Sequence, residues 1–202
     1  CKTDKGDFYS DKVVNACGSY SAQIGKMVGL NIPIKPRKGQ LIISEPIGPF
    51  MEATVQCARY NIIKFNPESI KDKNVLKLGS SLSIEQTKEG TLVIGGTREF
   101  SGFDKENTLE GIEVMLKRAV EFFPAIKDLN FIRAFAGLRP FTPDGLPLIG
   151  EVDKIKGFYI AAGHEGDGIA LAPISGKLLA ELITDGKPSY NIDHFTPNRF
   201  EL

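Results

Sequence analysis

Residues 158–173 read FYIAAGHEGDGIALAP. The run FYIAA has the length of a short buried strand, and GHEGDG is a glycine-rich loop. The residues from Ile169 to Thr184 predict a helix closed by Asp185-Gly186. Pro173 is awkward inside that helix, which either starts near it after a leading turn or kinks there. A strand feeding a glycine loop and then a helix aims free backbone N–H groups, and the positive end of the helix dipole, at whatever lies above the loop. Glycine lets backbone approach a flat or bulky group closely. The spacing is neither GxxxxGK[ST] nor GxGxxG, and no Lys follows the glycines. Glu165 and Asp167 stand in the loop and oppose a phosphate. The donors therefore suit a nearly neutral ligand that gains partial negative charge during a reaction. The plainer alternative is a glycine connection with no ligand.

Working outward, residues 136–150 read AGLRPFTPDGLPLIG, too rich in Gly and Pro for regular structure. Arg139 follows a strand pattern over residues 131–136, and Pro140 forces it towards extended backbone. A guanidinium at the end of an apolar strand needs a partner. It is either a fork for a carboxylate or half of an internal ion pair with Asp144. Near the start, residues 8–16 predict a strand with a tight turn at Gly6. Ser19 is placed to cap a helix over residues 20–28, with Gly29 closing it. Residues 31–39 read as an extended linker. Strand patterns then recur at 40–45, 55–66 and 75–79, followed by a hairpin of 82–86 with 91–97 around Glu89-Gly90. The middle of the chain thus predicts an antiparallel sheet without intervening helices. Tyr60, on the 55–66 strand, is placed to reach a pocket or the core. Leu109, Ile112, Leu116, Ala119, Val120 and Phe123 recur at helical spacing over 107–123, with Asn107 or Thr108 as cap and Pro124 as stop. Beyond Lys187 the tail reads as polar and loose.

The 202 residues carry 25 Lys and Arg against 25 Asp and Glu, a net charge of zero. No basic excess or run exists to neutralise phosphates, so a nucleic-acid partner is not expected. No stretch approaches membrane-spanning length. Cys1, Cys17 and Cys57 are odd in number and lack CxxC spacing, which argues against a disulfide framework or structural zinc and fits a reducing cytoplasm. Only His164 and His194 are available as imidazole ligands, and HEGD is not HExxH, so no metal is expected. No GxSxG supports a serine nucleophile.

Together VVNACGSYS (13–21), AGLRPFTPDGLPLIG (136–150) and AAGHEGDGIALAP (161–173) resemble the flavin-dependent amine oxidoreductases of the D-amino-acid oxidase type. This group includes glycine oxidase, sarcosine oxidase and the catalytic subunits of proline and hydroxyproline dehydrogenases. KPRKGQLI, ARYNIIK and LVIGGTREFSGFD look like its substrate-domain strands. The resemblance implies a mixed α+β fold. Residues 1–35 would be part of an FAD-binding domain, 36–135 a β-rich substrate domain, and 136–202 the return to the FAD domain. It implies FAD along Ala16, Gly18, Gly163, His164, Glu165, Gly166, Asp167, Gly168, Ile169 and Ala170, with the helix aimed at the N1–C2=O edge of the flavin. It implies Arg139 on the substrate carboxylate, with no side-chain base required, and Tyr60, read from its strand, is taken as a further substrate contact. Gly137 stands where monomeric sarcosine oxidase has a tethering Cys, so FAD is expected to be non-covalent. Gly166 stands where glycine oxidase has a second arginine, and GHEGDG looks closer to the dehydrogenase subunits. The family opens on a GxGxxG segment that this chain lacks. The expectation is the C-terminal part of a longer enzyme, binding little FAD and inactive by itself. The implied reaction is oxidation of a small amino acid or N-substituted amino acid to an imine. The alternatives are a 2-hydroxy-acid or glycerol-phosphate flavoenzyme of the same fold, or an inert domain. The missing FAD-domain segment, partner subunits and an electron acceptor are the expected companions.

Overall fold

The computed structural model describes residues 1–202, except for the side chain of Asn74. In chain order the strands and helices are β1 (Lys2–Thr3), β2 (Gly6–Asp7), β3 (Val13–Asn15), α1 (Ser21–Met27), β4 (Lys35–Pro46), β5 (Val55–Gln56), α2 (Ala58–Phe65), α3 (Lys73–Leu78), β6 (Ser83–Gln86), β7 (Thr91–Gly95), α4 (Leu109–Phe122), β8 (Phe131–Phe141), β9 (Leu148–Glu151), β10 (Phe158–Ala162) and α5 (Gly168–Asp185). The fold is mixed α+β. The chain divides into two units, one of Cys1–Pro36 with Arg139–Leu202 and one of Arg37–Leu138.

In the first unit three strands lie in the order β3-β10-β9. Central β10 runs parallel to β3 and antiparallel to β9. Side chains alternate across a strand. Phe158, Ile160 and Ala162 therefore share one face with Leu30, Ile32, Ile34, Leu148 and Leu202. Tyr159 and Ala161 take the other face, where Leu178, Leu179, Leu182 and Ile183 of α5 cover them. The helix runs unbroken through Pro173 and ends on Gly186 in the left-handed region. The carbonyl that Pro173 deprives of a donor is that of Ile169, a residue 97% exposed and open to water.

The structure corrects the reading of this unit in several places. Only Val13–Asn15 of the 8–16 segment forms a strand, and Gly6 lies in the β1–β2 hairpin instead. Ser19 caps nothing. A 3-10 turn over Gly18–Tyr20 intervenes and puts Tyr20 at the helix cap position. The tail is not loose. Ile192 and Leu202 are buried. The Asn198 amide donates to the Glu151 carbonyl at 3.0 Å and to the Asp153 carboxylate at 2.9 Å.

The second unit is built on a five-stranded sheet ordered β5-β6-β7-β4-β8. β4, β7, β6 and β5 pair antiparallel in succession. Ile42, Ile84, Leu92 and Ile94 fill one face, and Met115 and Ala119 of α4 pack on them. Thr108 caps α4 by accepting the Gly111 N–H at 3.1 Å. Its own N–H donates to Gln40 Oε1 at 2.9 Å. A buried Lys38 ties the loop between β7 and α4 to the sheet by donating to Asp104 Oδ2 at 2.7 Å.

Two segments read as strands are helices here. Residues 55–66 give a two-residue strand and then α2, and residues 75–78 fall in α3, which ends before Gly79. Short apolar runs do not separate strand from helix by periodicity, and the overlooked signal is Asp72, whose Oδ1 accepts the Val75 N–H at 3.3 Å at the start of α3. The FIRAFAGLRPF run is one strand, β8, continuing through Pro140. It lies at the sheet's edge, where a missing N–H is tolerated. It is half-buried rather than deep in the core.

Candidate active site

The site is built where parallel strands end. Because β3 and β10 run parallel, their carboxyl ends open on the same edge, the edge where α/β sheets hold ligands. After β3, buried Asn15 shapes the turn into α1. Its amide donates to the Ser21 carbonyl at 2.9 Å, and its Oδ1 accepts the Cys17 N–H at 3.3 Å. After β10 the chain enters GHEGDG at Gly163, whose φ is 89°. A Cβ there would lie 2.6 Å from Thr142 Cγ2, so both the turn and the packing require glycine.

The loop is then pinned bond by bond. The Glu165 N–H donates to the Pro140 carbonyl at 3.1 Å, and the Asp167 N–H to the His164 carbonyl at 3.0 Å. The Leu171 N–H bonds the Asp167 carbonyl at 3.0 Å and opens the α5 ladder. The N–H groups of Gly168, Ile169 and Ala170 precede that ladder and point out of the helix start. The first pin matters most, because Pro140 follows Arg139 directly. Gly166, having no side chain, leaves the Arg139 Cδ and Nε 3.8 Å from where a Cβ would stand.

Arg139 and the loop line one cavity of about 640 Å³. Of the residues singled out in the sequence, Ala16, Gly18, Arg139, Gly163, His164, Glu165, Gly166, Gly168 and Ile169 line it. Asp167 and Ala170 flank it at the start of α5 without lining it. Tyr60 belongs to the second unit and sits on α2, not on a strand, with the Arg98 guanidinium 4.1 Å above its ring. The alternative ion pair for Arg139 does not form with Asp144. Arg199 takes Asp144 instead, Nε to Oδ2 at 2.6 Å. Burial pushes the Asp144 carboxyl up, but the hydrogen bonds from Arg199 and from the Leu146 N–H outweigh it and hold the group below the usual carboxylate range.

The sequence reading missed Pro140, Ala161, Ala162, Ala172, Ser175 and Gly176, which also line the cavity. A signal was available: Gly168, Ala172, Ser175 and Gly176 are small residues at helical spacing, one bare stripe on α5.

His164 faces Ser175 across the loop, Nε2 to Oγ at 2.9 Å. Burial lowers its pKa from the ordinary 6.5, against a weaker upward pull from Asp167. The folded protein thus prefers the neutral ring, and an unfolded chain takes up a proton more readily between 6.5 and the folded value. That part of stability is complete above 6.5 and drains away as pH falls through this window. The wild-type urea midpoint is expected to drop between pH 7 and pH 5, and His164→Gln to flatten part of the drop. Identical slopes in the two proteins would contradict this account.

Compared with known proteins, residues 1–182 match the family model described as DAO, FAD dependent oxidoreductase. The chain is 33% identical over 196 residues to a glycine oxidase of Pseudomonas aeruginosa, covering 96% of this chain and 48% of that protein. Among solved structures, L-proline dehydrogenase from P. horikoshii superposes with a TM-score of 0.85 at 30% identity, over 98% of this chain and 49% of that one. Glycine oxidase from Geobacillus kaustophilus gives 0.82 at 28% identity, over 100% and 49%. The chain spans about half the length of the curated relatives it matches. Among the described residues, no helix is long and apolar enough to cross a membrane.

Proposed function

The chain belongs to the DAO family of FAD-dependent oxidoreductases, and on that premise we propose that the whole protein oxidises an amino acid or N-substituted amino acid to an imine, with FAD as the acceptor of the hydride from Cα. The names glycine oxidase and L-proline dehydrogenase among its relatives support an amino acid as substrate. The observation that carries the reading is the juxtaposition of Arg139 with the glycine-rich loop in one cavity, locked by the bond from Glu165 N–H to the Pro140 carbonyl.

The cavity suits a flat conjugated ring. Ala16, Gly18, Gly163, Gly166, Gly168 and Ala172 present backbone or a single methyl along its walls, and a Cβ added at Gly18 or Gly176 would meet nothing within 4 Å. Its volume lies within the range of about 300–1,000 Å³ usual for small-molecule sites. Among the described residues no cysteine lines it, and non-covalent FAD is part of the proposal.

The residues of the chain then divide the work. Gly163 to Ile169 would hold the cofactor, with Asp167 and Ala170 shaping the helix start behind them. The α5 N-terminus places preorganised donors and a positive potential where negative charge accumulates. The neutral His164 ring adds no competing charge and fixes the loop to Ser175. Arg139 grips the substrate carboxylate through its planar fork and so orients Cα. Tyr60 is assigned to the substrate side. The first unit contributes to the FAD-binding domain, and the second is the substrate domain. In this reading the protein supplies orientation and electrostatics, and no side chain acts as a base.

The test is substrate-dependent bleaching of the full-length flavoprotein under anaerobic conditions. Glycine, sarcosine or proline is expected to bleach the flavin. Bleaching by 2-hydroxy acids or glycerol phosphate alone, or by nothing, would overturn the proposal.

A further inference from the structure

Among the described residues, Glu165 is the one non-glycine residue with positive φ, at 50°. Side chains rarely adopt this conformation, and such outliers gather at functional sites. Three observations indicate what the geometry achieves. Glu165 lines the same cavity as Arg139. One of its carboxylate oxygens is buried. Its backbone N–H is bonded to the carbonyl of Pro140, the residue next to Arg139, at 3.1 Å. An arginine and a glutamate therefore line one cavity, on walls joined by a backbone hydrogen bond.

We propose that Glu165 is a specificity residue, the group by which this site prefers an acid carrying an adjacent ammonium over the corresponding hydroxy acid or phosphate ester. The inference rests on the reading of Arg139 as the carboxylate anchor and adds a second, opposite pole to it. An amino acid presents a negative and a positive group on neighbouring atoms, and the chamber offers the complementary pair. A hydroxy acid brings the anion without the cation and so meets Glu165 as a like charge. A phosphate ester brings still more negative charge and is opposed more strongly. Inside a protein such like-charge contacts count for more than in bulk solvent. The preference is thus partly repulsive, which is how sites commonly separate similar ligands. A second consequence concerns protonation. A carboxylate near the bound amine stabilises its ammonium form and raises the pH at which the amine becomes neutral.

The test uses the full-length, FAD-loaded protein and near-isosteric probe pairs: glycine with glycolate, and proline with tetrahydrofuran-2-carboxylate. Binding is read from the change in the flavin absorption spectrum. The wild type is expected to favour the amino acid of each pair. Glu165→Gln is expected to weaken the amino acids about tenfold, the worth of one charge-assisted hydrogen bond, and to leave their partners unchanged or tighter. Where turnover is measurable, the rising limb of kcat with pH should move to lower pH in Glu165→Gln. Glu165→Asp, which keeps the charge, should retain part of the preference. Equal weakening of both members of a pair, or of neither, overturns the proposal. Should Glu165→Gln fail to fold, a wild type without preference overturns it just as well. The parent reading is separated by Arg139→Lys, which must weaken both members of each pair. If it does so while Glu165→Gln does not discriminate, the anchor stands and the second pole falls.

Discussion

In the full-length enzyme, Arg139→Lys is expected to raise KM for the amino acid by about 10- to 100-fold, and Arg139→Ala by several hundredfold or more. The reason is geometric as well as electrostatic. Guanidinium meets carboxylate with two parallel N–H bonds, and an ammonium on a flexible stem keeps the charge but loses the fork. In the proposed role, full removal would leave the substrate carboxylate without its partner, a loss of about 3–5 kcal/mol. Arg139 stands on the last residues of an edge strand, with Pro140 immobilising its backbone and Gly166 leaving room for its stem. Steady-state kinetics on the three proteins decide the matter. Unchanged KM and kcat in the lysine variant would remove Arg139 from the site.

The second large effect is expected at Gly163→Ala. Its φ of 89° places an L side chain in a disfavoured region, and the new Cβ would stand 2.6 Å from Thr142 Cγ2, 3.5 Å from the Leu148 nitrogen and 3.6 Å from Ile34 Cδ1. Thr142 cannot easily yield, since it is fully buried and its Oγ1 donates to the Leu146 carbonyl at 2.8 Å. Backbone strain of about 1–2 kcal/mol and overpacking of about 1–3 kcal/mol together predict a loss of roughly 2–5 kcal/mol. Urea unfolding should show it as a lowered midpoint, and the full-length protein should retain less FAD. Gly166→Ala is the contrast, because its Cβ would meet nothing closer than 3.8 Å and its backbone is not left-handed. Equal stability losses at the two glycines would refute this account of Gly163.

What the sequence revealed and what it hid follow from how each signal is encoded. The strand, loop and helix of 158–186 were legible because an apolar run, glycine punctuation and a terminal Gly186 agree with one another. The α4 helix was legible because its apolar stripe, Thr108 cap and Pro124 stop agree over four turns. The α2 helix was not, since ARYNIIKF is eight residues of mixed aromatic and β-branched character, which a strand accommodates equally well. Pro140 suggested an irregular segment because its tolerance depends on an edge position that only the assembled sheet defines. The tail reads as loose in sequence because its anchoring uses polar side chains, Asn198 and Arg199, whose partners lie some 45 to 55 residues away. At the site, Arg139 and the glycine loop were visible as separate oddities. Their joint use of one cavity depends on a backbone bond between residues 140 and 165, which no local pattern announces.

The parallel pairing of Val13–Asn15 with Phe158–Ile160 also governs how the protein is born. During translation at roughly 5–20 residues per second, the earlier strand leaves the ribosome about 7–30 s before the residues that will complete its ladder. Throughout that interval the intervening unit, encoded without interruption, can collapse on its own, whereas the first strand waits with its edge uncovered.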